Sequence, residues 1–255
     1  TNDISQLTFT PSTEAAQPIE ITASEMESHL YDLVKLKGLA VLNSNSTSVK
    51  PANQNLEKIT FGGLKCMSGS YLDKSDLTQK TLPYNKAVVD VVSIVCNKKY
   101  ACPREPDDFT YVIGEKRTNT VKKCTAVNVR LERTLNSAYW NTFCMPVTLT
   151  KAQVQEVFGA NTKIAEYDKV DGSTLMFKSA STIQAGKPYL IKPEHTVADP
   201  VFHSVNISNT NISPAGSTSC QLVGVYSPTA LATDQTALFI TTQGTVSYPA
   251  EGHNT

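Results

Sequence analysis

Six cysteines and four histidines are the side chains best able to hold a metal or act as nucleophiles. Cys96 and Cys102 stand six residues apart around two lysines, a spacing that allows a disulfide across a local hairpin. No Cys-x-x-Cys pair occurs, so a thiolate zinc site has little support. We interpret Cys66, Cys144 and Cys220 as small buried apolar residues.

The histidines offer one arrangement that could hold a metal. His195 and His203 are eight residues apart with Asp199 between them, so the three could converge across a turn. No pair has the His-x-x-x-His spacing that places two ligands on one helix face. We therefore expect solvated loop histidines, no metal site and no cofactor.

The patterns of common catalytic machinery are missing. The sequence has no Gly-x-Ser-x-Gly elbow and no glycine-rich phosphate loop. Cys144 lies between Phe143 and Met145 in an apolar segment, where a thiol is usually inert, although a pair with His195 is an alternative. Two carboxylates for sugar hydrolysis need not be close in sequence, so a polysaccharide hydrolase stays an alternative. We predict that the protein is not an enzyme.

Aromatic side chains carry the remaining binding signal. Tyr139 and Trp140 are adjacent, and Trp140 is the only tryptophan. Rings of this kind can stack on sugar faces, so these two residues are the candidate ligand-binding site. The alternative is a hydrophobic anchor at the corner of a sheet, because tryptophan is usually well buried.

The charge balance excludes several classes of partner. The 255 residues carry 23 basic and 23 acidic side chains, and a split at residue 125 leaves +1 before it and −1 after it. Neither half has a field that would recruit nucleic acid or an anionic membrane. No apolar run approaches the ~18 residues of a membrane helix; the best stretch, 87–96, is broken by Asp90 and Ser93. Serine and threonine occupy 52 positions, a composition that suits an exported β-protein.

Periodicity predicts a mainly β chain of two small antiparallel domains, each with one short helix. Residues 1–18 are polar and unpatterned and predict a leader or tether. Residues 19–119 predict an OB-like barrel, with a capping box at Thr22. Residues 120–255 predict a β-sandwich or jelly-roll-like module, because short alternating runs follow one another with little helix between them.

The second half has clear local signals. In the run 126–131, Asn128 and Arg130 lie on the opposite face from Val127 and Val129. A second capping box begins at Thr150 and predicts a helix that ends near Gly159. Asp171-Gly172 predicts the turn of a hairpin between two strand-like runs.

Three segments of the second half resemble the β-rich modules of uncharacterised surface and secreted proteins from gut Bacteroides and relatives. They are Trp140-Asn141-Thr142-Phe143-Cys144-Met145-Pro146, Val157-Phe158-Gly159 and Ile183-Gln184-Ala185-Gly186-Lys187-Pro188-Tyr189-Leu190-Ile191. Met145 stands where those modules usually have leucine. The first half is similar to the OB-like domains of such proteins through 31–38 and 88–95. The resemblance implies export, an upstream lipid anchor or other envelope attachment, and no known catalytic residue.

The expected function follows from compartment and composition. We expect a cell-surface protein that binds or presents a glycan or a host or matrix polymer, in adhesion or nutrient capture. Single-strand nucleic-acid binding through the OB-like half is a further alternative, but such folds use a basic groove with stacking aromatics. With that half only slightly basic, we expect no nucleic-acid partner.

Overall fold

The computed structural model describes residues 16–43, 59–61, 64–66, 86–97, 100–102, 109–208, 211–217 and 219–250. Strand makes up 47% and helix 9% of the described residues, which include two helices, and this confirms the mainly β class. Of the predicted leader 1–18, only 16–18 belong to the described residues. No helix in the described ranges is long and apolar enough to cross a membrane.

The elements follow one another along the chain as short strands with two helices among them. In chain order they are β1 (Ile19–Ile21), a 3₁₀ helix (Ala23–His29), β2 (Leu33–Asn43), β3 (Ile59–Phe61), β4 (Leu64–Cys66), β5 (Val88–Asn97), β6 (Tyr100–Cys102), β7 (Phe109–Gly114), β8 (Cys124–Glu132), β9 (Thr134–Leu135), β10 (Asn141–Phe143), α1 (Lys151–Phe158), β11 (Lys163–Asp171), β12 (Thr174–Ala180), β13 (Tyr189–Lys192), β14 (Val197–Ala198), β15 (Val201–Ile207), β16 (Ala215–Ser217), β17 (Cys220–Leu222), β18 (Phe239–Ile240) and β19 (Val246–Ser247).

The largest sheet has the strand order β1-β2-β3-β4-β6-β5-β7-β8-β15, and β2 also pairs with β5. Three of its pairings, β1–β2, β4–β6 and β7–β8, are parallel. The prediction of purely antiparallel sheets is therefore wrong. Alternation along a strand shows which face is buried, but it does not show which neighbour the strand pairs with. A closed OB-like barrel stays a prediction.

A bulge in β2 positions one backbone donor for the core. The register of β2 against β5 shifts between Leu36 and Leu39. Gly38 lies between them with φ +66°, a left-handed conformation that glycine adopts without strain. Its N–H donates to Oδ1 of Asp90 at 2.9 Å.

A second sheet of four strands has the order β10-β13-β11-β12. The predicted hairpin at Asp171-Gly172 is confirmed, because β11 and β12 are antiparallel and Asp171 pairs with Thr174. Gly172 has φ +59°, the conformation that such a turn requires. Strand β12 forms one edge of this sheet, and its exposed side chains alternate with half-buried ones.

Both predicted capping boxes are present. Thr150 and Gln153 cap α1 reciprocally, and the N–H of Gly159 closes the helix on the carbonyl of Gln155 at 2.9 Å. Thr22 and Glu25 form the same arrangement on the first helix, which is 3₁₀ rather than α. These side chains satisfy backbone donors that the first turn leaves open.

One hydrophobic core serves both halves of the chain. Phe158 of α1 packs against Phe143 of β10 and Phe202 of β15, with ring centroids 6.2 and 5.8 Å away. The helix therefore joins the four-stranded sheet to the nine-stranded one. Burial of such rings contributes roughly 1.5–3 kcal/mol each relative to exposure.

The predicted domain boundary at 119/120 lies in a connection that is hydrogen-bonded to other parts of the chain. Asn119 Nδ2 donates to the carbonyl of Gly114 at 2.7 Å and to that of Tyr226, and its N–H donates to Ser227 Oγ at 2.9 Å. On either side of it, β7 and β8 pair from Thr110↔Asn128 to Gly114↔Glu132. The division into 19–119 and 120–255 stays a prediction, but the sheet and the core continue across it.

Candidate functional site

Trp140 lies at the end of a short turn, residues 136–140, that we call the Trp140 turn. The turn connects β9 to β10, and β9 pairs with β14. Trp140 is 38% exposed, whereas its neighbour Tyr139 is partly buried. Tryptophan is well buried on average, so this exposure sets the residue apart from a core anchor.

The turn is held in one conformation by buried and local hydrogen bonds. Asn141, only 4% exposed, places Nδ2 at 2.8 Å from the carbonyl of Asn136, 3.1 Å from that of Tyr139 and 3.3 Å from that of Ile191. Its Oδ1 accepts the N–H of Asn136 at 3.1 Å. The side-chain amide of Asn141 thus serves as the hydrogen-bonding partner of backbone groups at the start of the turn, at Asn136, and at its end, at Tyr139.

Two further hydrogen bonds stabilise the turn and the residues that flank it. Ser137 donates its N–H to Thr196 Oγ1 at 3.2 Å, and Arg133 Nη1 donates to the carbonyl of Thr142 at 2.8 Å. Among the described residues, none accepts a hydrogen bond from the Trp140 indole. The ring and its N–H are therefore open to a ligand that offers an apolar face and a hydroxyl.

Asn141 is the residue at this site that sequence reasoning missed. It belongs to the Trp-Asn-Thr-Phe-Cys run, yet only the two rings before it were singled out as binding candidates. An asparagine at the start of a short strand, two residues after a tyrosine, is a weak turn signal. Its buried position, bonded to a strand 50 residues later, could not be derived from spacing alone.

The predicted Cys96–Cys102 disulfide stays untested. Both residues belong to paired antiparallel strands, with Ile94 opposite Cys102 in the register of β5 and β6, so the predicted local hairpin exists. Their side chains lie outside the described residues. Among the described cysteines, Cys124, Cys144 and Cys220 are free thiols; Cys124 is buried, whereas Cys144 and Cys220, predicted to be buried, are half-buried.

Cys144 has the environment of a packing residue and not of a nucleophile. Burial raises the pKa of its thiol from 9.0 to about 12. A Cβ on Gly224 would lie 2.4 Å from its Sγ, so the backbone passes directly over the sulfur. Catalytic thiols need a lowered pKa, and this half-buried thiol has a raised one.

The histidine arrangement does not assemble a metal site. The Asp199 carboxylate accepts a hydrogen bond from Nη1 of Arg130 at 3.1 Å. Within the described ranges, no group of three His, Cys, Asp or Glu side chains could hold a metal ion. His195 and His203 are both exposed, as expected of solvated histidines.

Two neighbouring carboxylates of β11 raise the question of sugar hydrolysis. Glu166 and Asp168 both contact Nζ of Lys178, at 3.3 and 3.6 Å. The hydrogen bond from Lys187 lowers the pKa of Glu166 below its usual range, with a smaller contribution from Lys178. A general acid in sugar hydrolysis needs a raised pKa, so this pair is better suited to structural ion pairing.

Comparison of the chain with protein-family models, with curated proteins and with solved structures finds no significant match.

Proposed function

We propose that this protein is an exported, non-catalytic binding protein of the cell envelope that holds a glycan, or another host or matrix polymer, on the Trp140 turn. The observation that carries the proposal is the 38% exposure of Trp140 on a turn that hydrogen bonds hold rigid. A side chain ordered in advance loses little further conformational entropy on binding.

The chemistry around Trp140 suits a neutral, hydroxyl-bearing ligand. The exposed indole offers an apolar face and a donor, and Ser137, Thr142 and Thr196 surround the turn with hydroxyls. The whole chain is neutral, so an uncharged polymer meets no opposing field. A sugar ring has the matching features, with apolar C–H faces and hydroxyls at its edge.

Two observations support the proposed compartment and kinship. The 52 serine and threonine residues favour an exported β-protein, and three segments resemble modules of surface proteins from gut Bacteroides and relatives. Two of those segments contain β10 and β13, which pair with each other. Fractionation of the native host tests the compartment: recovery in the envelope or medium is expected, and recovery in the cytosol would contradict export.

We also propose that the first half is OB-like. Strands β2, β3, β4, β6 and β5 each pair with two others of the five in cyclic order, which is the pairing that a five-stranded barrel needs. By analogy with other OB folds, single-stranded nucleic acid is a second candidate ligand, ranked below the polymer because this half carries a net charge of only +1. Titration with labelled oligonucleotides at low salt tests it, and the absence of binding at micromolar protein would dispose of it.

The polymer proposal is tested with the single tryptophan as its own probe. Wild-type protein is screened on a glycan array and on immobilised mucin, and each retained ligand is titrated while Trp140 fluorescence is recorded. We expect a blue shift on binding and a loss of about tenfold or more in affinity for Trp140→Ala, with partial rescue by Trp140→Phe.

Tyr248→Ala is the matched control, because Tyr248 is also exposed, at 56%, and lies far along the chain from the turn. It should leave affinity unchanged. The proposal fails if no glycan or mucin is retained, or if Trp140→Ala binds as wild type does.

A further inference from the structure

A cleft of about 790 Å³ lies beside β11, an inner strand of the four-stranded sheet. Its walls are four consecutive residues of β11, from Tyr167 to Val170, and the hairpin β16–β17. Asn141 of β10 pairs with Ile191 of β13, and Ile191 pairs with Ile164 of β11. From the spacing between strands and the rise along β11, the cleft lies roughly 15–20 Å from the turn. Its volume is typical of ligand-binding clefts.

The cleft runs along a backbone edge of β11 that no other described strand pairs with. Side chains of successive strand residues point to opposite faces, apart from the local shift at the Asp168 bulge, so a cleft that touches four residues in a row is best explained by a position against the edge of the strand. Strand β13 pairs with β11 only as far as Tyr189↔Glu166. The next residue on that side is Pro188, which has no N–H to donate, so β13 cannot continue the ladder past Tyr167.

The opposite wall stands close to this edge because Gly216 has no side chain. Gly216 has φ +122°, and a Cβ there would lie 2.8 Å from Cε1 of Tyr167 and 2.4 Å from the carbonyl of Cys220. Tyr167 is itself held by an edge-to-face contact with Phe177, with ring centroids 6.0 Å apart. The two walls are thus fixed relative to each other at the base of the cleft.

A β-bulge in β11 separates a charged side chain that is ion-paired from one that is not. The β11–β12 register passes from Tyr167↔Phe177 to Lys169↔Met176, which leaves Asp168 as the extra residue. Asp168 forms an ion pair with Lys178 of β12 at 3.6 Å. Lys169 makes no ion pair with another described residue, so the lining of the cleft has a cation to offer.

We propose that this cleft binds an extended peptide segment bearing an acidic side chain, which adds as a strand to the edge of β11 between Tyr167 and Val170. In this mode the backbone of the strand supplies affinity through main-chain hydrogen bonds, and neighbouring side chains supply specificity. Lys169 would pair with the acidic group, and the hydroxyls of Ser217 and Ser219 line the opposite rim. The inference does not rest on polymer binding at Trp140.

The test uses the whole chain and random heptapeptides displayed on phage as the probe. Enriched sequences are made as synthetic peptides and titrated, and amide hydrogen exchange is followed with and without peptide. We expect enrichment of Asp or Glu, slower exchange at 167–170, and loss of binding when alternate peptide nitrogens are methylated. Ser217→Trp, which fills the cleft, and Lys169→Glu should each weaken binding about tenfold or more.

Ser181→Trp is the matched control, because Ser181 is exposed just after β12 and does not line the cleft. It and Trp140→Ala should bind the peptide as wild type does. The proposal is overturned if no peptide is enriched, if Lys169→Glu and Ser217→Trp both bind normally, or if N-methylation has no effect. Protection of 167–170 by cellotetraose in place of a peptide would assign the cleft to sugars and overturn it as well.

Discussion

Arg130 of β8 holds Asp90 of β5 at two points, with Nε 2.7 Å from Oδ2 and Nη2 2.9 Å from Oδ1. The two side chains are 3% and 1% exposed. Burial by itself lowers the pKa of Arg130, but hydrogen bonding to Asp90 and the charge of that carboxylate raise it overall, so the guanidinium stays charged. Because Asp90 lies before the predicted domain boundary and Arg130 after it, the pair joins the two halves in the core.

Removal of one member of this pair should be strongly destabilising. Asp90→Ala leaves a buried guanidinium without its main partner and takes the acceptor away from the N–H of Gly38. We expect the free energy of unfolding, measured with urea, to fall by about 3–5 kcal/mol. Glu20→Ala is the control: Glu20 pairs with Lys37 at 2.9 Å but is 55% exposed, so the expected loss is below about 1 kcal/mol. Equal losses in the two variants would contradict this assignment.

The two halves should unfold together. The pairing of β7 with β8, the shared core and the contacts of Asn119 all cross the boundary at 119/120. Trp140 fluorescence reports on the second half, and amide exchange of Val89 and Val91 in β5 reports on the first. In a urea titration we expect one midpoint by both probes. Two separated midpoints would show independent domains.

Alternation along β8 correctly predicted which residues share a face of the strand, but it predicted the burial of only one of the two faces. Val127 and Val129 are buried as expected, whereas Arg130, on the opposite face, is buried as well. The available signal was Asp90, an acid within an apolar strand, since a buried carboxylate needs a partner. That partner lies 40 residues away on a strand outside any local hairpin, and hydrophobic periodicity contains no information on such a pairing.

Sequence signals were sufficient for those elements whose contacts are formed between residues close together in the chain. The cap at Thr150 and the Asp171-Gly172 hairpin depend on residues within a few positions of one another, and both are confirmed. The Trp140 candidate was found from residue type, but its fixed turn depends on Asn141 reaching Ile191. The cleft joins Tyr167 to Gly216 across nearly 50 residues, so no motif could indicate it.

The capping box of α1 should contribute measurably to stability. Thr150 Oγ1 accepts the N–H of Gln153 at 3.3 Å, and Gln153 Oε1 accepts the N–H of Thr150 at 3.0 Å. Thr150→Ala removes the first bond, and we expect thermal or urea unfolding to show a loss of about 1 kcal/mol. Thr150→Ser, which keeps the hydroxyl, should stay within a few tenths of wild type. A Ser variant as unstable as the Ala variant would indicate that the methyl group, and not the cap, is what matters.

Cys144 should resist alkylation in the folded protein. With its pKa raised to about 12 by burial, the thiolate at pH 8 is about a thousandfold scarcer than for a thiol with the ordinary value of 9.0. Iodoacetamide labelling at pH 8, followed by peptide mass spectrometry, should modify Cys144 far more slowly in the native chain than in urea. Comparable rates in the two states would place this thiol in solvent.

The same thiol makes stability fall at high pH. The unfolded thiol has its ordinary pKa of 9.0 and the folded one a pKa of about 12, so between these values the folded chain retains a proton that the unfolded chain loses. The contribution of Cys144 is complete below pH 9 and declines above it, by at most about 1.4 kcal/mol per pH unit. Cys144→Ala cannot ionise and leaves a small cavity beside Gly224, so it should be less stable at pH 8 but lose less stability between pH 8 and pH 10.5. Urea midpoints of both proteins at the two pH values measure the difference. An equal fall in wild type and variant would mean that other groups, such as Tyr226, whose pKa burial also raises, account for the alkaline loss.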